Sequence, residues 1–473
     1  MPGSRENLVD VLEWAGIPYD EGPGRDGGHG PYVQSERFHL YGEYADKLVK
    51  EGKAYRCFCT AERLESLRAS QMRRGIAGMY DRFCLRLNPA QVEERLKAGH
   101  SHVIRMKVPP GQTTVEDMVM GRISVLNKDV DDQVLLKSDK FPTYHLANVV
   151  DDHLMRISHV IRGEEWMPST PKHIMLYNMF GWKSPTFIHL PLLLNTDRSK
   201  LSKRQSHTSV NWYRDQGYMP EAVINFVALL GWNPGNADYQ EIFTLQELMG
   251  KFSVEQVNKS GSIVNLNKLD WLNSQHVRMM AKSNPKLLLE RITPYLTKKL
   301  LEMGIKDKTV ENFDGDLMIR VIASMEEGRF NTLPQLVERT LLFFIDPEHD
   351  ASTSMEYLKI IFKPHSPTVI SALVNELNST RNRIGSSGLE QWNMESASAL
   401  LKRVLEELKP GVPGIKKPDV FQVSRYAMAG ISDGPEVPVM MGLVGIDKTI
   451  ERFESAKRVI STFHPSPSPT SSS

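Results

Sequence analysis

Apolar positions along the chain set its elements before any composition is considered. Leu8, Val9, Val11, Leu12 and Trp14 fall on one stripe at helical spacing and predict a short helix near the start. A glycine-rich stretch over residues 21–30 reads as a turn. The spacing then predicts a second helix over 35–51, with Phe38, Leu40, Tyr41, Tyr44, Ala45 and Leu48 inward. Residues 54–140 mix a charged helical part with short extended runs at 102–108 and 132–137. Strand-like and helical pieces alternate from 141 to 194, including 157–162 and 173–180. Past about residue 285 the pattern turns helical almost throughout, over 285–303, 316–325, 333–344, 396–408 and 450–460. That change predicts a separate all-α domain. The Pro/Ser-rich end, 464–473, is expected to be disordered, and no internal repeat is evident.

Composition narrows this picture only modestly. A chain of 473 residues suggests about three domains. An apolar fraction of 40% and a charged fraction of 24% are ordinary for a globular protein. Lys+Arg 58 against Asp+Glu 57 leaves a formal charge of +1. That balance neither supports nor excludes a nucleic-acid partner, because a basic footprint can be a local stripe. No apolar run is long enough to span a bilayer. The first residues carry acids and resemble neither a secretory signal nor an import leader. Three cysteines are too few for a disulfide framework and fit a reducing compartment.

Candidate chemistry sits in three blocks. Lys200-Leu201-Ser202-Lys203-Arg204 follows an apolar run and a turn. Two lysines, an arginine and a hydroxyl on one loop suit the charge of a polyphosphate leaving group, although a bare basic pentapeptide is commonly a solvated face. Tyr144-His145-Leu146-Ala147-Asn148 lies in a second block, followed by Arg162-Gly163-Glu164-Glu165-Trp166. An arginine ending a buried strand can grip a carboxylate with two charge-assisted hydrogen bonds; taken singly, Arg162 and Tyr144 also fit a surface ion pair and a core aromatic. The third block holds every cysteine, Cys57, Cys59 and Cys84.

The run LLLNTDRSKLSKRQSHTSVNWYRDQGYMPEAVINFVALLGWNP resembles class I aminoacyl-tRNA synthetases, and closely the glutamate–tRNA ligases of bacterial and organellar type. The segments Gly30-Pro31-Tyr32 with Gln34, Ser35 and Arg37, and Phe421 to Gly430, are also similar to that family. The resemblance implies an α/β fold: a Rossmann-like class I catalytic domain, incomplete at its N-terminus, followed by an all-α anticodon-binding domain. It implies a remnant of the nucleotide-binding half at 1–53, an acceptor-end insertion at 54–140, and the second catalytic half at 141–215. A stem-contact region at 216–285, the helical domain at 286–463 and the tail complete the expected division.

By that match the chain ligates glutamate to tRNA(Glu) through a glutamyl-adenylate, using ATP and Mg²⁺. Lys200 and Lys203 stabilise the leaving pyrophosphate. Glu165, Trp166, Lys200, Leu201, Ser202, Lys203 and Arg204 border ATP. Tyr144, His145, Leu146, Ala147, Asn148 and Arg162 hold glutamate, Arg162 reading its side-chain carboxylate. A cation there disfavours glutamine, whose amide would leave the charge unpaired. The all-α ending sets the chain apart from the archaeal type, and its presence from enzymes that lack an anticodon domain. Lys416 and Lys417 are candidates for phosphate contacts, or a solvated pair.

Two departures from the family pattern carry expectations. The fourth ligand of the family's zinc site falls on Arg86, which cannot coordinate, and Tyr80 is a poor substitute, so zinc is not expected. No HIGH-like tetrapeptide occurs, so one half of the ATP site is expected to be missing, and a tRNA-binding protein without catalysis is the competing reading. A monomer is expected, in the mitochondrial matrix or alternatively the cytoplasm. Charging of tRNA(Gln) as well is left open.

Overall fold

The computed structural model describes residues 3–76, 78–201, 209–235, 240–305, 314–387 and 391–463. Ser202, Lys203, Arg204 and the Pro/Ser-rich end therefore lie outside the described residues. The chain divides into two compact units, one of residues 1–208 with 224–265, the other of residues 209–223 with 266–473.

In the first unit the strands are β1 (Ala54–Cys57), β2 (Val103–Met106), β3 (Gln112–Asp117), β4 (Gly121–Leu126), β5 (Val134–Leu136), β6 (His159–Gly163), β7 (Thr186–Leu190), β8 (Leu193–Leu194) and β9 (Ser262–Ile263). Its leading helices are α1 (Ser4–Ala15), α2 (Phe38–Lys50), α3 (Ala61–Arg73), α4 (Pro89–Lys97), α5 (Tyr144–Leu154) and α6 (Thr170–Phe180). An antiparallel sheet runs in the order β1-β2-β5, and a mixed one in the order β4-β3-β7-β6. Strands β3 and β7, and β6 and β7, pair in parallel. Parallel neighbours need a crossover, and α6 supplies it between β6 and β7.

The predicted second helix forms as a 3-10 turn over Gln34–Arg37 that runs into α2. Tyr41, Ala45 and Leu48, spaced four and three apart, face the core. There they meet Leu146, Ala147, Val149 and Val150 of α5 and Met175, Leu176 and Tyr177 of α6. The predicted first helix also forms, but none of its residues is buried and Leu8 stays exposed. The hairpin of β3 and β4 escapes the apolar pattern. Its inward positions on β3 are Thr113, Val115 and Asp117, so polar side chains occupy two of the three places where alternation would show.

The second unit is helical, with no strand among its described residues. Helices at Pro285–Glu302, Gly315–Ser324, Leu333–Phe344, Met394–Leu408 and Ile446–Thr462 match the five predicted spans closely. The helical part begins before residue 285, because Leu266–Ser283 packs against the next two helices. Arg452 is buried in this unit and donates to the backbone oxygens of Leu342, Ile345 and Met428 and to Asp346. It thereby satisfies carbonyls at two helix ends that have no partner within their helices. No described helix is long and apolar enough to cross a membrane.

Candidate functional site

The carboxyl ends of parallel strands are where an open α/β sheet offers ligands a crevice. Here Arg162 and Gly163 close β6, directly opposite His189 and Leu190 of β7. Helix α5 starts with Tyr144 and His145, and α6 starts with Thr170, Lys172 and His173. The sequence thus brings two strand ends and two helix starts together at one place.

Arg162 is the centre of this arrangement. Its Nε donates to His189 Nε2 at 3.1 Å, one terminal nitrogen to Thr170 Oγ1 at 2.8 Å, and the other reaches His173 Nδ1 at 3.4 Å. The guanidinium also lies over the Phe187 ring at 5.6 Å. Every hydrogen-bond partner of Arg162 among the described residues is thus an imidazole or a hydroxyl. Beyond it, His173 Nε2 meets His145 Nδ1 at 2.9 Å. Burial, then the charges of Lys172 and Arg162, push His145 down to about 4. Burial and Arg162 hold His173 well below its ordinary value. Both rings are therefore neutral near pH 7 and add no charge beside the Arg162 guanidinium.

Tyr144 and Trp166 are partly exposed, with ring centroids 4.5 Å apart beside this centre. Asn148 follows Tyr144 by one helical turn and is half-buried. Leu146 and Ala147 correct the sequence reading: both have 0% exposure and pack into the core of the unit. Their side chains present no surface to a ligand, since a helix that shows Tyr144 outward turns the next positions in. Burial also raises Asp152 to about 6, with Tyr177 donating to it at 3.3 Å.

A cavity of about 490 Å³ adjoins Arg162. Glu165, Lys200 and Leu201 line it with Arg162, against apolar walls that include Trp232 and Phe252. At its rim, a Cβ added to Gly163 would fall 2.2 Å from the Glu165 carboxylate, so the Glu165 side chain would have to shift. The structure therefore gathers Arg162, Glu165, Lys200 and Leu201 around one cavity and sets Tyr144, His145 and Trp166 near the Arg162 end. A comparable cavity of about 510 Å³ along residues 22–33 contains none of the candidate residues.

Sequence reasoning missed His173, His189, Thr170 and Asp117, which surround or support Arg162. A histidine at the end of a buried strand, in Phe187-Ile188-His189, is the one signal that pointed to them.

The cysteines converge as a separate cluster. Cys57, Cys59 and Cys84 bring their Sγ atoms within 4.8 Å of one another, and the Tyr80 hydroxyl is 3.3 Å from both Cys57 and Cys59. Hydrogen bonding from Cys84 holds Cys57 down at about 4 against its burial. Arg63 reaches Cys59 Sγ at 3.4 Å, and Arg105 lies against Cys57 and over the Tyr80 ring. A structural zinc site takes four thiolate or imidazole ligands, and this set offers three thiols, a phenol and two guanidinium groups that already supply positive charge.

Residues 1–271 match the family described as tRNA synthetases class I (E and Q), catalytic domain, and residues 287–457 match an anticodon binding domain. The chain is 40% identical to a glutamate–tRNA ligase of Fusobacterium nucleatum over 96% of this chain and 87% of that protein. It is 38% identical to one from Clostridioides difficile over 97% and 90% of the respective chains. Among solved structures, the glutamate tRNA ligase of Elizabethkingia meningosepticum in complex with its amino acid superposes with a TM-score of 0.79 at 31% identity, covering 97% of this chain and 90% of that one. With both domains matched in order and relatives aligned over 87% to 90% of their own lengths, the chain belongs to the glutamate–tRNA ligase family of class I synthetases.

Proposed function

We propose that this protein joins glutamate to tRNA(Glu) in two steps, first forming glutamyl-adenylate from ATP and Mg²⁺ and then passing the glutamyl group to the tRNA. The observation that carries the reading is the guanidinium of Arg162, whose hydrogen-bond partners among the described residues are His189, His173 and Thr170. A guanidinium with no carboxylate hydrogen-bonded to it among the described residues, at a partly buried strand end, is suited to bind one from a substrate. Tyr144 and Asn148 border the amino acid, and Glu165 and Trp166 the nucleotide. Lys200 lies in the same cavity as Arg162. With Lys203, in the basic run Lys200–Arg204, it balances charge on the leaving pyrophosphate. The reading extends to the mitochondrial matrix as the place of action and to a monomeric state. Whether tRNA(Gln) is a second substrate is decided by the charging assay below.

One observation favours a second reading. Residues 1–473 contain no HIGH-like tetrapeptide, the signature that in the resembled family grips ATP from the side opposite the basic loop. On that reading the chain holds glutamate and tRNA without making adenylate. Glutamate-dependent exchange of pyrophosphate into ATP separates the two, followed by charging of tRNA(Glu) and tRNA(Gln). Exchange above background supports ligation. Absent exchange with retained glutamate and tRNA binding supports the second reading, and loss of glutamate binding as well overturns both.

A further inference from the structure

The way Arg162 is held contains a condition on its partners, and the inference drawn from it rests on reading this site as the glutamate pocket. An imidazole offers one N–H and one lone pair when neutral, so which nitrogen carries the proton decides whether it can accept from a guanidinium. His189 Nδ1 lies 2.7 Å from Asp117 Oδ2. A carboxylate only accepts, so Nδ1 carries the proton and the Nε2 lone pair faces outward. That lone pair meets Arg162 Nε at 3.1 Å and Thr170 Oγ1 at 3.2 Å. A proton on Nε2 instead would set it against the Arg162 Nε–H.

Asp117 is itself fixed. Its Oδ1 accepts from the backbone N–H of Val119 at 3.0 Å and Met120 at 2.8 Å, and its Oδ2 from the His189 N–H at 3.2 Å. The side chains of Asp117 and His189 are both wholly buried. Asp117 ends β3, His189 is on β7 and Arg162 on β6, and these strands are consecutive neighbours in the sheet. A line of hydrogen bonds therefore crosses three strands, from a carboxylate that has no contact with solvent to the guanidinium at the pocket.

We propose that Asp117 and His189 are positioning residues for substrate selection: Asp117 locks His189 as the Nδ1–H tautomer, and the Nε2 lone pair then orients the Arg162 guanidinium towards the side-chain carboxylate of glutamate. Neither residue touches substrate. Their effect falls on the affinity for glutamate and on its preference over glutamine, and not on ATP.

Asp117→Asn tests this directly. With the amide oxygen kept on the Val119 and Met120 N–H groups, the NH₂ group faces His189 and drives the ring to the Nε2–H tautomer, donor against donor at Arg162; the reversed amide keeps its oxygen on the His189 N–H and Nδ1–H and leaves the tautomer unchanged, and the nitrogen-15 spectrum tells the two apart. Nitrogen-15 NMR of the histidines reads the tautomer, and calorimetry reads glutamate, glutamine and ATP binding. The wild type should show His189 protonated at Nδ1. The variant should show Nε2 protonation, glutamate binding weakened about tenfold to a hundredfold, and ATP binding within about twofold. Two further variants keep the test decisive if Asp117→Asn does not fold. His189→Leu removes the acceptor and should weaken glutamate as much, whereas His189→Gln offers an amide oxygen that needs no tautomer and should stay within about fivefold of wild type. Wild-type His189 protonated at Nε2, or glutamate binding by His189→Leu within about threefold of wild type, overturns the positioning role. A wild-type protein that binds no glutamate overturns the pocket reading itself, a result distinguishable because the tautomer is measured without substrate.

Discussion

His145 Nδ1 and His173 Nε2 stand 2.9 Å apart, so one ring donates to the other and a single proton lies between them. Charging the accepting ring breaks that bond, and charging either ring adds a cation beside Arg162. Their pKa values in the folded protein lie below the ordinary 6.5, His145 at about 4, so between those values the unfolded chain binds more protons than the native one. Stability from this pair is complete above about pH 6.5 and is lost as pH falls towards 4. Asp152 works the other way, since its pKa is raised from 3.8 to about 6 and its protonation favours the folded state in acid. We therefore expect His145→Gln to show a shallower loss of stability than wild type between about pH 6.5 and 4.5, in urea unfolding at a series of pH values. Parallel curves would contradict the neutral pair.

Arg37 and Asp151 form an internal anchor. Arg37 Nε is 2.7 Å from Asp151 Oδ1, and the Tyr41 hydroxyl sits within 2.9 Å of both carboxylate oxygens. Arg37 also donates to the Pro31 carbonyl at 3.1 Å, which fastens the segment 30–37 to α2 and α5. Removing one member of a buried pair strands the other charge. Arg37→Ala is expected to lower the unfolding free energy by about 3 kcal/mol or more, read by chemical denaturation. A loss under about 1 kcal/mol would show that the pair contributes little.

The thiol cluster is expected to hold together without metal. Arg63 and Arg105 lie against Cys59 and Cys57, and Tyr80 fills the side where a fourth ligand would be needed. Protein purified under reducing conditions with zinc supplied should carry well below one zinc per chain by elemental analysis. Its unfolding midpoint should be unmoved by a chelator. One tightly held zinc per chain, with destabilisation on chelation, would assign the three cysteines and Tyr80 a ligand role instead.

What the sequence made legible depended on how local the signal was. The helix Leu333–Phe344 could be read because Leu336, Val337 and Leu341 recur on one face and are buried there. Helix α6 gave a weaker periodic signal because it is buried on most sides, from Thr170 and His173 to Met179 and Phe180. Strand β3 was hidden by its buried Thr113 and Asp117. The same holds at the site. Arg162 and Tyr144 were marked by the blocks in which they stand, whereas Asp117, 72 positions from His189 along the chain, becomes part of the site only through strand order. Leu146 and Ala147 were drawn in with the block that resembles the glutamate-binding segment, and the helix turns their side chains into the core.

The most direct test of the account is whether the charge on Arg162 selects glutamate. Calorimetric titration of the protein with glutamate and with glutamine, alongside Arg162→Ala, measures this without depending on catalysis. The account predicts glutamate binding about a hundredfold or more tighter than glutamine, near 3 kcal/mol for a desolvated charge-assisted pair. It also predicts that Arg162→Ala keeps its circular dichroism spectrum and loses that preference. Equal affinity for the two amino acids, or a preference for glutamate that survives Arg162→Ala, would contradict it.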